Sequence, residues 1–177
     1  MGRLSLKFFR LESPRRRDAA EAFSGKGGLF AAGRWNSLGG LVVYTSESVS
    51  LAYLEKLAHL DANNPSGDLL LYEIEIPDDL IEIRLEASLP DGWDMRPPGP
   101  ASRTVGDRWL AERRSVALLV PSVIVAQERN ALINPLHPKF NLGWIKGPTV
   151  FKHDARLIRE SKIEAANPDR RKRKRKK

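Results

Sequence analysis

The chain has 177 residues, a hydrophobic fraction of 41% and a formal net charge of +8, which suffices for one domain with a sizeable core. It contains no cysteine, so disulfides and thiolate metal sites are excluded. No apolar run approaches the roughly 20 residues of a membrane span, and the N-terminus lacks the apolar core of a signal peptide. We therefore expect a soluble, cytoplasmic protein with no membrane partner.

The positive charge is concentrated at the C-terminus. Residues 170–177 carry eight positive charges, which equals the whole net charge, so residues 1–169 are neutral overall. Like charges in a run repel one another and favour disorder. We predict a domain over residues 1–157 and a basic, disordered tail over residues 158–177. The tail could bind nucleic acid without sequence preference, or it could be a solvated tail with no dedicated partner.

The first half of the chain predicts two strands and one long helix. The predicted elements are a strand over 4–11, a Gly-rich loop over 24–28, a strand over 41–44, a helix over 47–60 and a loop over 63–67. Thr45 or Ser46 is expected to cap the helix, with Glu47 near its positive end. The Gly-rich loop has the spacing of neither a Walker loop nor a dinucleotide fingerprint, and we interpret it as a flexible loop over a site.

The second half predicts short strands around one helix. The predicted elements are strands over 69–76 and 80–85, an irregular stretch over 90–102, a helix over 105–114, β-rich segments over 115–120 and 123–127, a turn over 134–138 and a last strand over 149–152. Pro121 predicts a bend between the two β-rich segments. Together these elements predict a single α+β domain with a bent, mostly antiparallel sheet.

One carboxylate in the first helix lies where a carboxylate is not expected. Leu51, Leu54 and Ala58 recur at the spacing of an apolar helical face. At about 100° per residue, Glu55 falls between Leu51 and Ala52, inside that face. Glutamate is almost never buried unless another group pairs with it or uses it. Glu55 is therefore a candidate functional residue.

Two further residues lie close to Glu55 in the sequence. Arg34, beside Gly33, is suited to forked capture of a phosphate, and Trp35 could pack that arginine in place. From the spacing alone, a surface arginine next to a core tryptophan is the more common arrangement. Tyr44 at a strand end could stack on a planar ring or be a rim residue of the core. A strand–turn–helix unit could bring Arg34, Tyr44 and Glu55 into one pocket.

The remaining candidates favour hydrogen bonding over metal binding or a serine nucleophile. Ser122 lies at the presumed bend without a Gly-x-Ser-x-Gly elbow, so a hydrogen-bonding role is more plausible than a nucleophilic one. His59, His137 and His153 lack metal-ligand spacing. We expect no metal, and we interpret His137 as a turn residue.

Several strings in this order resemble the RES domain family, named for its Arg, Glu and Ser. The resemblance spans residues 3 to about 157. The matching segments are 33–37, 42–48, 50–55, 89–93, 106–110, 120–122 and 130–138.

The resemblance implies a toxin of a bacterial toxin–antitoxin pair with a fold similar to ADP-ribosyltransferases. It implies that NAD⁺ is consumed as a substrate and that no cofactor is bound. The implied partner is a Xre-type helix-turn-helix antitoxin that blocks the NAD⁺ pocket and can bind DNA as a complex. The implied catalytic residues are Glu55, Arg34 and Tyr44, and the implied substrate-binding residues are Arg34, Tyr44, Ser122, Trp35 and Asn36.

Cleavage of the nicotinamide–ribose bond would pass through an oxocarbenium-like state, as glycoside cleavage does. Glu55 would stabilise the developing positive charge, and nicotinamide would leave without a general acid. The acceptor stays open: water gives hydrolysis, phosphate gives phosphorolysis and a protein side chain gives ADP-ribosylation. NAD⁺ degradation is favoured. The alternatives are a protein ADP-ribosyltransferase and a non-enzymatic protein that binds nucleic acid through the tail.

Overall fold

In the computed structural model, the described residues are 4–59 and 68–152, together with Asp154 and Leu157. They contain seven strands and three α-helices. The strands are β1 (Ser5–Glu12), β2 (Val43–Ser46), β3 (Leu69–Pro77), β4 (Ile81–Ile83), β5 (Ala117–Pro121), β6 (Arg129–Ile133) and β7 (Ile145–Phe151). The helices are α1 (Ala19–Ala22), α2 (Val49–Ala58) and α3 (Pro100–Glu112). Short 3-10 turns cover Lys26–Leu29, Asp78–Leu80, Glu86–Ser88 and Leu142–Trp144.

The strands form one sheet in the order β4-β5-β6-β2-β1-β3-β7. The pairing of β4 with β5 is parallel, and the other neighbouring pairs are antiparallel. The predicted single α+β domain with a mostly antiparallel sheet is thereby confirmed. None of the described helices is long and apolar enough to cross a membrane.

Alternation along the central strands places two apolar clusters on opposite faces of the sheet. In β6, Ala131 and Ile133 pack with Phe8 and Tyr72 on one face. Leu132 points to the other face. There it joins a cluster that includes the tryptophans Trp35, Trp93 and Trp109. The predicted alternation of β3 is also confirmed, since Leu70, Tyr72, Ile74 and Ile76 are all buried.

The sheet is weakly joined between β1 and β2. A single register pair, Phe9 with Ser46, links these two strands, whereas β1 pairs with β3 along its whole length from Ser5 to Glu12. The carbonyl oxygen of Tyr44 accepts a hydrogen bond from the Arg10 guanidinium at 2.7 Å. A side chain thus satisfies a backbone group that the strand ladder leaves unpaired at this junction.

The predicted helix cap, Thr45 or Ser46, is wrong by two or three residues. Strand β2 continues through Ser46 because Thr45 and Ser46 pair with Ala131 and Asn130 of β6. Ser48 is the N-cap instead, and its hydroxyl accepts a hydrogen bond from Leu51 N at 3.0 Å. Glu47 forms a forked ion pair with Arg129, so its partner is a side chain across the sheet.

The predicted apolar face of α2 is only partly correct. Leu54 is 39% exposed and Ala58 is exposed, because the helix packs against β1 and β3 through Ala52, Tyr53 and Leu57. The buried face is therefore centred nearer Ala52 than Leu54. Glu55, which lies between Leu51 and Ala52 around the helix, remains half-buried.

Three other predictions need correction. Residues 123–127 form the turn between β5 and β6 and contain no strand, since Ser122 N bonds Glu128 O at 3.0 Å and closes the connection. Helix α3 begins at Pro100, inside the stretch predicted to be irregular, because proline is well suited to a first helical turn. The strands predicted over 80–85 and 149–152 are observed as Ile81–Ile83 and Ile145–Phe151.

Three predictions fall outside the described residues: the loop over 63–67, the tail over 158–177 and His153.

Candidate active site

The carboxylate of Glu55 meets two side chains from other elements. Its Oε1 accepts a hydrogen bond from Ser122 Oγ at 3.0 Å and another from Asn130 Nδ2 at 2.5 Å. Ser122 follows β5 and is 2% exposed, while Asn130 belongs to β6. Glu55 is thus a half-buried carboxylate without an arginine or lysine hydrogen-bonded to it among the described residues.

The position of Glu55 depends on how α2 starts. Ser48 caps the helix and also donates to Glu128 Oε2 at 2.6 Å. The neighbouring pair of Glu47 and Arg129 is bonded at 2.6 and 2.9 Å. These contacts tie the start of α2 to Glu128, at the end of the connection between β5 and β6, and to Arg129, the first residue of β6. The same connection follows Ser122 and leads into Asn130, so the helix and its carboxylate's partners are held together.

Arg34 is anchored to the loop that precedes α3. Its Nη1 donates to the carbonyl oxygens of Trp93 at 2.9 Å and Met95 at 3.0 Å. No described residue accepts a hydrogen bond from its Nε or Nη2, which leaves donors for a ligand. Burial and the positive charge of Arg96 lower the pKa of Arg34, whereas the charge of Glu55 raises it. Arginine remains protonated in either case, and Glu55 lies near enough to act on it.

Tyr44 packs its partly buried ring against the cluster that contains Trp35, Trp93 and Trp109, and it uses its hydroxyl internally. The hydroxyl donates to Asn36 Oδ1 at 2.7 Å and accepts from Trp35 N at 3.1 Å. Burial raises the pKa of Tyr44 to about 12, so the phenol is neutral under ordinary conditions. A Cβ at Gly33 would lie 2.3 Å from this hydroxyl. Residue 33 therefore has to be glycine, because any side chain there would clash with the Tyr44 hydroxyl.

Trp35 and Asn36 lie behind the surface of the site. They are 2% and 1% exposed. The Trp35 ring stacks on Trp93, with centroids 5.9 Å apart and an interplanar angle of 24°. Asn36 also donates to Ser37 O at 3.0 Å and accepts from Gly33 N at 3.1 Å. Both residues shape the loop that carries Arg34, and the structure gives neither an exposed surface for a substrate.

The Gly-rich segment is a packed turn rather than an open loop. Gly28 is buried, and a Cβ there would lie 1.8 Å from Gly40 O. Gly39 N bonds Gly28 O at 2.8 Å. The turn thus supports the 36–40 loop from behind, against the interpretation as a flexible loop over the site.

Sequence comparison assigns the family. A family model described as the RES domain matches residues 7–150. The chain belongs to the RES domain family.

Curated relatives of this RES chain carry toxin names. It is 39% identical over 163 residues to "Prs ADP-ribosylating toxin" of Sphingobium sp. (strain YBL2), covering 89% of this chain and 100% of the relative. It is 36% identical over 144 residues to "Toxin Res" of Yersinia enterocolitica, covering 80% and 94%. It is 39% identical over 137 residues to "Toxin Res" of Pseudomonas putida, covering 76% and 92%.

A solved structure has the same fold. The match is to the M. tuberculosis MbcT–MbcA toxin–antitoxin complex, with a TM-score of 0.59 and 19% identity, covering 85% of this chain and 86% of the matched one. This likeness supports the RES fold of the described domain.

Of the residues that the family resemblance implied, the structure brings Glu55 and Ser122 into direct contact and places the charge of Arg34 near them. Asn130 was missed as a site residue. It is one polar residue at the start of a strand, and nothing in the local sequence indicates that it reaches Glu55 across the sheet. No cluster of His, Asp or Glu that could hold a metal ion occurs among the described residues. His137 accepts a hydrogen bond from Lys139 N at 3.1 Å, as expected of a turn residue.

Proposed function

We propose that this RES-domain chain is the toxin of a toxin–antitoxin pair and that it cleaves the nicotinamide–ribose bond of NAD⁺. The proposed bond cleavage rests on one observation, the setting of the Glu55 carboxylate. Two neutral donors, Ser122 and Asn130, bond one of its oxygens, and the charge of Arg34 lies nearby. The toxin names of relatives that cover most of the chain support the biological part. NAD⁺ is the substrate in this proposal, and the reaction uses no bound cofactor.

In the proposed reaction, the bond between C1′ of the ribose and the nicotinamide nitrogen breaks, and its electron pair goes to the nitrogen. Nicotinamide leaves neutral, so no acid has to protonate it. Positive charge develops on the ribose, and the Glu55 carboxylate stabilises it in a partly desolvated setting. Water then adds to C1′, releases a proton to solvent and yields ADP-ribose, or phosphate adds to C1′ and yields ADP-ribose 1-phosphate.

The other residues bind and position. Arg34 would hold the pyrophosphate through Nε and Nη2, since its Nη1 already bonds two carbonyls. Tyr44 would contact nicotinamide through its ring, because its hydroxyl is engaged with Asn36 and Trp35. Ser122 would act mainly by orienting Glu55. Trp35 and Asn36 would position Arg34 and Tyr44 rather than touch the substrate.

The decisive variant is Glu55→Gln. The amide has the size of the carboxylate and lacks its charge, so we expect NAD⁺ consumption to fall at least about a hundredfold while the melting temperature stays close to that of the wild type. Loss of NAD⁺ is followed with purified protein by an enzymatic cycling assay. Glu86→Gln, at an exposed glutamate, is the matched control and should retain full activity. A fully active Glu55→Gln variant would contradict the catalytic role proposed for Glu55.

A second candidate function is transfer of ADP-ribose to a protein, favoured by the name of the Sphingobium relative, "Prs ADP-ribosylating toxin". Labelled NAD⁺ incubated with the protein and a cell lysate separates the two reactions. NAD⁺ degradation predicts label in free ADP-ribose or its 1-phosphate. Label on a lysate protein, lost in Glu55→Gln, would make transfer the main activity.

The proposed partner is a small Xre-type helix-turn-helix antitoxin. The matched M. tuberculosis fold was solved as a toxin–antitoxin complex, which makes such a pairing plausible for this chain. The test is co-expression with the protein encoded by the adjacent gene. We expect that protein to restore growth and to lower NAD⁺ consumption in purified mixtures. Growth arrest that persists, with no complex on gel filtration, would contradict the pairing.

A further inference from the structure

We infer that Asn130 and Ser46 position Glu55 so that one carboxylate oxygen is held by the protein while the other faces the substrate. This inference rests on the proposed function and deepens it. Asn130 belongs to β6 and Ser46 to β2, where they are direct register partners. The contact between Asn130 Nδ2 and Glu55 Oε1 is 2.5 Å long, which is a short, charge-assisted hydrogen bond.

The orientation of the Asn130 amide follows from its two neighbours. Ionised Glu55 can only accept hydrogen bonds, so the amide must turn its NH₂ group toward the carboxylate. The amide oxygen then faces Ser46, whose hydroxyl donates to it at 2.7 Å. Ser46 is 3% exposed, which protects this bond from competing water. A flipped amide would set its oxygen against the carboxylate.

Ser122 has a similarly fixed proton. Its Oγ accepts hydrogen bonds from Ile124 N at 3.1 Å and Val125 N at 3.2 Å. Because both acceptor positions are taken, the hydroxyl proton points to Glu55. Ser122 and Asn130 therefore approach the same oxygen, Oε1, from two different elements.

The second oxygen has a different environment. No described residue donates a hydrogen bond to Glu55 Oε2. Asn130 in β6 and Ser122 at the end of β5 both donate to Oε1, which leaves the Glu55 carboxylate little freedom to rotate. Oε2 is thereby presented, with its charge, to a ribose in the site. Asn130 acts through Glu55, so it is a positioning residue and not a catalytic one.

The test is Asn130→Ala in steady-state NAD⁺ consumption. We expect kcat to fall about ten- to hundredfold and KM for NAD⁺ to stay within about twofold, because Arg34 and Tyr44 are untouched. Asn134→Ala is the matched control. Asn134 is a buried asparagine immediately after β6 that bonds Leu110 O, so its loss should lower the melting temperature without a comparable loss of kcat.

Two further variants keep the inference open to refutation if Asn130→Ala folds poorly. Asn130→Asp keeps the size of the side chain and sets a second carboxylate against Glu55, so kcat should fall at least as far as in Asn130→Ala. Ser46→Ala removes the hydrogen bond that holds the amide oxygen of Asn130, so Asn130 orients Glu55 less firmly and kcat should fall several-fold.

The outcomes separate this inference from the proposed function. Wild-type kcat in Asn130→Asp, in a protein that consumes NAD⁺, would overturn the positioning role alone. A rise in KM with kcat unchanged would also overturn it, because Asn130 would then contact the substrate. A wild-type protein that leaves NAD⁺ intact would overturn both.

Discussion

In the proposed reaction, the neutral hydrogen-bond donors around Glu55 would prepare its carboxylate for a cationic transition state. An arginine or lysine bonded to it would neutralise the charge before the substrate arrived. The groups that hold it are instead a serine and an asparagine, each a neutral donor. The charge of Glu55 raises the pKa of Arg34 without a hydrogen bond between the two side chains, so in the proposed reaction the carboxylate would remain able to stabilise positive charge on a ribose.

Arg34 is the residue whose loss should weaken substrate binding. Arg34→Ala removes the donors that the proposal assigns to the pyrophosphate, so KM for NAD⁺ should rise at least about tenfold, which corresponds to about 1.4 kcal/mol. Arg108→Ala is the matched control, since Arg108 lies on the exposed side of α3 and pairs with Glu112. KM for NAD⁺ is measured from initial rates for both variants. Equal KM values in Arg34→Ala and Arg108→Ala would contradict the pyrophosphate role.

Tyr44 should make stability depend on alkaline pH. Its pKa is raised from 10.0 to about 12 in the folded protein, so the unfolded chain loses this proton first. The contribution to stability is full below pH 10 and is lost as pH rises towards 12. In Tyr44→Phe, the decline of stability across this interval should be smaller by at most about 3 kcal/mol. Urea unfolding of both proteins at several alkaline pH values measures this difference, and equal declines would contradict it.

At the scale of elements, the site depends on how α2 is joined to the segment between β5 and β6. The helix start is tied there by Ser48 and by the pair of Glu47 and Arg129. Ser122 and Asn130 flank that same segment. The orientation of Glu55 is therefore coupled to a connection that is remote in sequence and adjacent in space.

Ser48→Ala tests this coupling. It removes the N-cap and the bond to Glu128, so we expect a loss of about 1 to 2 kcal/mol in the free energy of unfolding. Ser50→Ala, two residues further along the same helix at an exposed position, should be neutral or slightly stabilising because alanine favours helix interiors. Chemical denaturation measures both. If the two variants lose stability equally, the cap does not anchor the helix.

At the scale of the whole molecule, the site lies on the tryptophan face of the sheet, near the junction of β1 and β2. Tyr44, Ser46 and Asn130 belong to strands that pair across this part of the sheet. One register pair holds β1 to β2, and Arg10 donates a hydrogen bond to the carbonyl of Tyr44. Side chains from β2, β6, α2 and the end of β5 meet in this part of the molecule, through the contacts of Ser46 with Asn130 and of Glu55 with Asn130 and Ser122.

The basic tail is expected to be accessory to the chemistry. Deletion of residues 170–177 removes eight positive charges, so salt-dependent binding to short RNA and DNA duplexes should be lost while NAD⁺ consumption persists. Fluorescence anisotropy at low and high salt measures the binding. A full-length variant with glutamine at these eight positions is the matched control for chain length. Loss of NAD⁺ consumption on deletion would make the tail part of the enzyme.

The sequence alone determined the elements whose signal is local. The alternation of apolar and polar residues predicted β3, and the position of a charge on an apolar helical arc marked Glu55 as a candidate. Both signals are local because side-chain periodicity depends only on neighbouring residues. The sequence placed the cap of α2 two or three residues early, since only pairing with β6 extends β2 to Ser46. The sequence also predicted a β-rich segment over 123–127, where the backbone instead forms a turn.

The family motifs marked Arg34, Tyr44, Glu55 and Ser122, but only the tertiary structure showed which of them touch. Glu55 meets Ser122 and Asn130 across separations of 67 and 75 residues, and no local pattern encodes such distances. The tertiary structure also decided that Trp35 and Asn36 are buried supports. The register of β2 with β6 brought Ser46 and Asn130 together, so that Ser46 bonds the amide oxygen of Asn130 while the amide nitrogen bonds Glu55.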